Sequence, residues 1–293
     1  MVTIFTPAYN RAKTIPRLYE SLLNQTDKRF EWLVIDDGST DNTEELIRSY
    51  IEEGKLDIQY IKRENWGLPK TINQGMDLAK GDVFFRIDSD DFATNDAVEL
   101  IYANWSLVES DEKLCGIAFQ KEDISHTHVP YCPFKENIRS SFTDYYYRQG
   151  GSGDLAAVMK TAVFRKYKLP IFGEERFCPE GIIWNRISSE YDVMFIPRAI
   201  YLCEYCDDGL TTNSKEYLRR NAVGTTTFFS EMFDHKLSPF HYVKTSMSFW
   251  RFAFLNGKGF VKNFQSVPFG ASFFGLPFGI IIFLYDEIKS RKR

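Results

Sequence analysis

Along the first hundred residues, short apolar runs alternate with segments whose apolar positions recur every three or four residues. Residues 2–6 form a strand-like run that Pro7 is expected to stop. Ile15, Leu18, Leu22 and Leu23 then share one helical face, with Asn10 as the expected cap. Residues 31–35 predict a second strand, closing at Asp36-Asp37-Gly38-Ser39, and Asp41 stands where a cap is wanted for a helix to about Tyr50. Residues 57–61 predict a third strand and 69–80 a third helix, with Pro69 in its first turn. Gly81 ends that helix, residues 83–87 form a fourth strand running into Asp88, and another helix follows over about 95–110.

This alternation predicts an α/β fold: a mostly parallel sheet, right-handed crossovers and helices on both faces. Ligands bind beyond the carboxyl ends of the strands in such sheets. The polar clusters at 7–11, 36–39 and 88–91 each follow a strand, so they are expected to meet at one sheet edge. Past residue 112 the pattern loosens. Residues 114–119 read as a strand, 140–153 are Tyr-rich and then Gly-rich, and the chain turns helical after Gly209. The expected division is a catalytic domain over 1–213, with halves of about 1–110 and 111–213, and a helical, membrane-associating region over 214–293.

Composition changes this picture little. The apolar fraction is 44% and the charged fraction 26%, ordinary values for a chain with a buried core. A formal net charge of −4 lacks the dense basic surface that nucleic-acid binding requires. The five cysteines, Cys115, Cys132, Cys178, Cys203 and Cys206, outline no disulfide framework. Cys203 and Cys206 have C-x-x-C spacing without a second pair to complete a zinc site, so strand-end packing is the expected role. His126 and His128 read as a surface loop. The opening residues lack the charged and apolar regions of a signal peptide, which places the expected location in the cytoplasm.

The sharpest chemistry is in Asp88-Ser89-Asp90-Asp91. On an extended segment Asp88 and Asp90 point the same way, and three carboxylates within four residues repel unless a cation intervenes. Mg²⁺ or Mn²⁺, which favour carboxylates with phosphate oxygens, would relieve that repulsion; a solvated turn capping the next helix is the plainer reading. Asp36 or Asp37 can accept a base N–H or a ribose hydroxyl, although Asp-Gly is also ordinary turn chemistry.

Taken in order, Thr6-Pro7-Ala8-Tyr9-Asn10-Arg11, Val34-Ile35-Asp36-Asp37-Gly38-Ser39-Thr40-Asp41, Asn65-Trp66-Gly67 with Asn73-Gln74-Gly75, and Arg86-Ile87-Asp88-Ser89-Asp90-Asp91 resemble the successive motifs of glycosyltransferase family 2. The resemblance is in register over roughly residues 1–110 and looser to about 213. It implies a GT-A fold, a divalent cation (Mn²⁺ or Mg²⁺), and inverting transfer of one hexosyl or N-acetylhexosaminyl unit from a UDP- or dTDP-type sugar. It places Thr6, Ala8, Tyr9 and Arg11 around the nucleotide, with Asp36 or Asp37 on uracil. Asn65, Lys70, Asn73 and Ser89 are expected to add donor contacts. Asp88 would meet ribose or metal, and Asp90 would ligate the metal.

An inverting displacement also needs a base for the acceptor hydroxyl. The family's usual Glu-Asp pair corresponds to Glu180-Gly181, a departure that leaves Glu180 as the expected base and Asp154 as its reserve. Residues 207–213 resemble a tail motif that closes over the donor, and Arg219 and Arg220 read as a solvated face or as diphosphate contacts.

Residues 267–285 carry no charge and are rich in Phe, Leu and Ile, yet Pro268, Gly270, Gly275, Pro277 and Gly279 are expected to break them into short helices. Lys258 and Lys262 precede the stretch, and Lys289, Arg291, Lys292 and Arg293 follow it. Basic flanks on both sides favour association with the inner membrane face over a span, which suits a saccharide acceptor that is polyprenyl-linked. Burial in the core or in a homo-oligomer interface is the other outcome. Two rival functions stay open: a sugar nucleotidyltransferase, disfavoured because residues 6–11 contain no glycine, and a non-catalytic nucleotide-sugar-binding or membrane-scaffold protein.

Overall fold

The computed structural model describes residues 1–125, 131–204 and 214–290. In chain order the elements are β1 (Val2–Ala8), α1 (Ile15–Leu23), β2 (Phe30–Asp36), α2 (Thr43–Glu53), β3 (Ile58–Lys62), α3 (Leu68–Leu78), β4 (Val83–Arg86), β5 (Phe92–Ala93) and α4 (Ala97–Trp105). There follow β6 (Leu114–Asp123), β7 (Ile138–Ser140), α5 (Phe142–Tyr147), β8 (Leu155–Lys160), α6 (Thr161–Lys166), α7 (Gly181–Ile187) and β9 (Asp192–Cys203). The helices α8 (Ser214–Arg220), α9 (Ala222–Glu231), α10 (Pro239–Ala253), α11 (Phe260–Gln265) and α12 (Phe269–Ser290) complete the chain.

The strands form one sheet in the order β3-β2-β1-β4-β8-β6-β9-β5, with β7 on β9. The first four are parallel; β8 joins β4 and β6 antiparallel, and β6 pairs β9 parallel. Strand period two decides the layers. Val2, Ile4, Trp32 and Val34 face α1, α2 and α4, whereas Phe5, Leu33 and Ile35 face α3, α5, α6 and α7. Both sheet faces are covered, which is why β1 and β2 are buried at every position.

Two local expectations change. β1 runs through Pro7 instead of stopping there: the Phe5 carbonyl accepts from the Ile87 N–H on the β4 side, so Pro7, two residues on, faces that side after β4 has ended. Its missing N–H costs no ladder bond. Asn10 does not cap α1; it sits at φ 53° and Thr14 precedes the helix.

The C-terminal region also differs from its expected form. α12 is continuous over 22 residues, with Pro277 inside it. Its glycines are packing surface, not breaks. A Cβ on Gly275 would lie 2.4 Å from the Ser246 backbone, and one on Gly279 would lie 2.5 Å from the Trp250 Cβ. Together with Ala271 they form a small-residue stripe at i, i+4 and i+8, which lets α12 lie close against α10. Phe249, Trp250, Ala253, Val267 and Ala271 fill the seam. At its end Arg251 holds Asp286 at 2.6 Å, and Arg219 pairs with Glu287. Arg219 is therefore committed to α12, neither a solvated face nor a diphosphate contact, while exposed Arg220 pairs with Glu216 one turn away.

Candidate active site

The three polar clusters come together beyond the carboxyl ends of β1, β2 and β4. Ala8 lies opposite Asp36, and the Asp37 N–H donates to the Ala8 carbonyl at 2.8 Å. Asn10 joins the first two clusters: its Oδ1 accepts from the Thr40 N–H and its own N–H donates to Ser39 Oγ, both at 2.8 Å. Arg11 and Arg17 join the first to the third. Arg11 Nη2 lies 3.8 Å from the Asp90 carboxylate, and Arg17 Nη2 donates to the Asp90 carbonyl at 2.6 Å.

Several residues assigned to the donor instead hold the site's walls. Thr6 is fully buried and its Oγ1 accepts from Trp32 Nε1 at 3.0 Å. Asp36 is fully buried too, accepting from the Ser39 N–H and the Tyr60 hydroxyl, each at 2.7 Å. Neither offers surface to a ligand, because strand-end side chains of alternating direction point half the time into the core. Asn73 gives its whole amide to Leu169, donating to the carbonyl and accepting from the N–H at 2.8 Å each; it clamps α3 to the chain after α6.

Asp37 accepts from the N–H groups of Trp66 and Gly67 at 2.8 and 2.9 Å, which pins the start of α3. Gly38 lets that loop close down. It has φ +86°, and a Cβ there would lie 2.8 Å from the Asn65 nitrogen. Asn65 Oδ1 accepts from Arg176 at 3.1 Å. Ala8 and Ser89 are buried, whereas Tyr9 and Trp66 stand about half-exposed, the Trp66 ring with the Arg63 guanidinium 4.8 Å over it, and Lys70 is exposed in the first turn of α3.

The acidic cluster is a turn, not an extended segment: the Asp91 N–H donates to the Asp88 carbonyl at 3.0 Å. Asp88 is gripped from both sides by Arg86, Nε to Oδ1 at 2.7 Å and Nη2 to Oδ2 at 3.0 Å. Burial is the largest influence and pushes its carboxyl up, but the charge and hydrogen bonds of Arg86, with Lys121 and Tyr201, together outweigh it and hold the carboxyl at about 2. Arg86 Nη1 also donates to Glu180 Oε1 at 2.5 Å. Asp91 accepts from the Tyr201 hydroxyl at 2.7 Å, and that hydroxyl accepts the Asp88 N–H at 3.0 Å. Burial and then the Asp88 charge raise Asp91 to about 7.

Lys121 lies opposite Tyr201 in the β6–β9 register, with its ammonium 4.0 Å over the Tyr201 ring. Burial works against its charge, but Asp88, Asp154 and Asp91 together raise its pKa above the usual lysine value. The repulsion that sequence assigned to a metal is thus met in part by Arg86 and Lys121 beside Asp88 and Asp91 and by Arg11 beside Asp90. Sequence reasoning gave no role to Arg86, Lys121 or Tyr201. Arg86 opened a recognised motif without being given a part in it; the other two are legible only once β6 and β9 pair.

Glu180 comes from the second half of the chain. Although it stands at the N-cap position just before α7, its side chain makes no cap and turns to Arg86. Together with Arg86, Asp88 and Lys121 it lines a cavity of about 60 Å³, walled by Ile72, Ile183 and Trp184. Asp154 is exposed and within electrostatic range of Lys121. Gly181 has a physical cause: a Cβ there would lie 2.3 Å from the Phe228 ring of α9, leaving no room for an aspartate on this backbone.

No three His, Cys, Asp or Glu side chains stand together as a ready cation cage among the described residues. Asp90 is the cluster's carboxylate with the loosest partner and about a third of its side chain exposed. One carboxylate plus diphosphate oxygens is an adequate donor set for Mg²⁺ or Mn²⁺, so these residues fit a cation that arrives with its nucleotide. His126, His128, Cys206 and residues 207–213 lie outside the described residues.

A parallel first half joined to a mixed second half, with acidic strand ends at their junction, is the layout of the GT-A fold. Residues 3–167, more than half of the chain, match the family described as Glycosyl transferase family 2, and the chain belongs to that family. It is 39% identical over 100 residues to the chondroitin synthase of Escherichia coli, a match covering 34% of this chain and 14% of that protein. The hyaluronan synthase of Pasteurella multocida matches at 39% over 100 residues, 34% of this chain and 10% of that protein. The chain thus spans only a small part of these relatives' length. Among solved structures, S. aureus TarS 1–349 in complex with UDP-GlcNAc superposes with TM-score 0.69 at 18% identity, covering 96% of this chain and 88% of that one. Mannosyltransferase PcManGT from Pyrobaculum calidifontis, with GDP-Man and Mn²⁺, gives 0.58 at 17% identity, covering 97% and 87%. Both share the fold.

Proposed function

We propose that this glycosyltransferase moves one sugar with inversion from a UDP-type donor to a saccharide acceptor, in surface polysaccharide synthesis. The acceptor is lipid-linked and presented at the inner membrane face. The observation that carries the reading is the Arg86 bridge, which ties the donor-side Asp88 to Glu180 from the second half of the chain.

The half-exposed Tyr9 ring, and the side of the Trp66 ring away from Arg63, would stack against the base, and the wall held by Asp37 would set the base's depth. Arg11 lies beside Asp90, on the side where diphosphate charge is expected. Asp90 would hold a divalent cation together with the diphosphate oxygens; when bound, that cation neutralises charge growing on the leaving group. Arg86 occupies Oε1 of Glu180 and leaves Oε2 without a hydrogen-bond partner among the described residues. Glu180 Oε2 would take the acceptor hydroxyl's proton as its oxygen bonds to the anomeric carbon. The bond from that carbon to the diphosphate breaks, and the nucleoside diphosphate leaves with the electron pair. Lys121 supplies fixed positive charge beside Asp88 and Asp91 where this charge shifts.

A panel of UDP- and dTDP-sugars, assayed for nucleotide release with Mn²⁺, Mg²⁺ or chelator, tests the reading. Release from at least one UDP-sugar that chelator abolishes is expected. Release from none of them overturns it.

A further inference from the structure

From His235 to Tyr285 the chain has no Asp or Glu and five Lys or Arg, although acidic residues outnumber basic ones, 40 to 36, over the whole sequence. This basic stretch builds α10, α11 and most of α12. The outer face of α12 is apolar and open: Phe273 is 66% exposed, Phe278 53% and Ile281 63%, with Phe269, Leu284 and Ile288 also exposed. Beside it, between α10 and α12, runs a groove of about 330 Å³ walled by Phe240, Val243, Met247 and Ile282, with Lys244 and Arg251 among its lining residues. Lys236, Lys244, Lys258, Lys262 and Lys289 are exposed around these helices.

The two acids near the end of α12 do not disturb this pattern. Asp286 and Glu287 are mostly buried, and Arg251 and Arg219 neutralise them. What faces outward is an uninterrupted apolar strip rimmed by lysine. A second copy docked symmetrically would set two such basic rims face to face, because a twofold interface pairs a patch with itself. An anionic lipid surface answers both features, taking the aromatic side chains among its acyl chains and the ammonium groups among its phosphates.

Length alone would allow a span, since a 22-residue helix is roughly 33 Å long. The packing forbids it. The inner stripe of α12 is seated on α10, whose Thr245, Ser246 and Trp250 are buried against the rest of the region, and the Arg251–Asp286 pair locks the far end. Crossing a bilayer would strip α12 from this seat or carry the polar α10 with it.

We infer that the α10–α12 face is a membrane-docking surface that lies in the plane of an anionic bilayer without crossing it. This deepens the proposed use of a lipid-linked acceptor at that membrane, and it is tested without reference to transfer. The full chain is mixed with vesicles of phosphatidylcholine containing 30% phosphatidylglycerol, or of phosphatidylcholine alone, and sedimented.

Sedimentation with the anionic vesicles is expected, reduced by high salt and released by alkaline carbonate. The variant Phe273→Glu/Phe278→Glu/Ile281→Glu changes only exposed positions and is expected to lose at least about tenfold in partitioning. The variant Lys244→Glu/Lys258→Glu/Lys262→Glu is expected to lose the preference for anionic lipid. Both should retain the wild-type circular dichroism spectrum and nucleotide release from a soluble donor. No vesicle binding by the wild type overturns the inference, as does resistance to carbonate, which marks a span. So does a concentration-dependent dimer in analytical ultracentrifugation that the Glu variant dissolves. Loss of nucleotide release with vesicle binding intact would count against the transferase reading alone.

Discussion

The first half of the sheet, β1–β4, and the second half build their parts of the site in opposite ways. Over β1–β4 the polar side chains are mostly satisfied by the backbone of the same rim: Asp36 by the Ser39 N–H, with the Tyr60 hydroxyl, Asp37 by the N–H groups of Trp66 and Gly67, Asn10 Oδ1 by the Thr40 N–H and Ser39 Oγ by the Asn10 N–H. The result is a rigid, hydrogen-bonded rim that exists before any ligand arrives. The second half sends single side chains across long sequence distances into that rim: Glu180 to Arg86, Lys121 over Tyr201, Tyr201 to Asp91. A rim fixed by local turns suits a ligand bound in one pose, and charges delivered from distant parts of the chain suit the reacting groups. Mutations in the two halves should therefore fail differently.

The largest effect is expected at their meeting point. Asp90→Asn should lower nucleotide release by about 10³-fold with an unchanged melting temperature; turnover at the wild-type rate would remove the cation from Asp90. Next, Glu180→Gln should cost about 10²- to 10³-fold in transfer while donor affinity, read by calorimetry, is retained. Normal transfer there would move the base to Asp154.

Arg86→Met should lower kcat by roughly tenfold or more and destabilise the fold by about 2 kcal/mol, because two partly buried carboxylates lose their shared partner. Arg86→Lys should rescue little, since an ammonium cannot reproduce the fork on Asp88. The smallest effect sharpens the contrast. Asn73→Ala should cost about 1–2 kcal/mol in urea unfolding and leave the donor KM unchanged. A raised donor KM with unchanged stability would return Asn73 to the binding site.

Sequence made the first half legible because its signals are local. Strand period, turn residues and helix starts recur within a few positions, so β1–β4, α1–α3 and the meeting of the three polar clusters could be anticipated. Orientation was harder to read. Thr6 and Asp36 were placed at the ligand because they sit in motifs, yet burial gives them to Trp32 and Tyr60. The D-x-D segment was read as extended, and the single bond from Asp91 to Asp88 turns it.

Lys121 and Tyr201 carried no local signature, since their meaning comes from the pairing of β6 with β9, strands far apart in sequence. In α12 the glycines read as helix breakers because composition cannot show Ser246 and Trp250 pressed against them.

Isothermal calorimetry of UDP against the wild-type protein and Asp90→Asn, each with Mn²⁺ and with chelator, bears most directly on the meeting of acidic strand ends as a diphosphate pocket. Binding by the wild type that weakens at least about tenfold on chelation is predicted, with Asp90→Asn insensitive to the metal. Equal UDP affinity in all four conditions, or none in any, would contradict it.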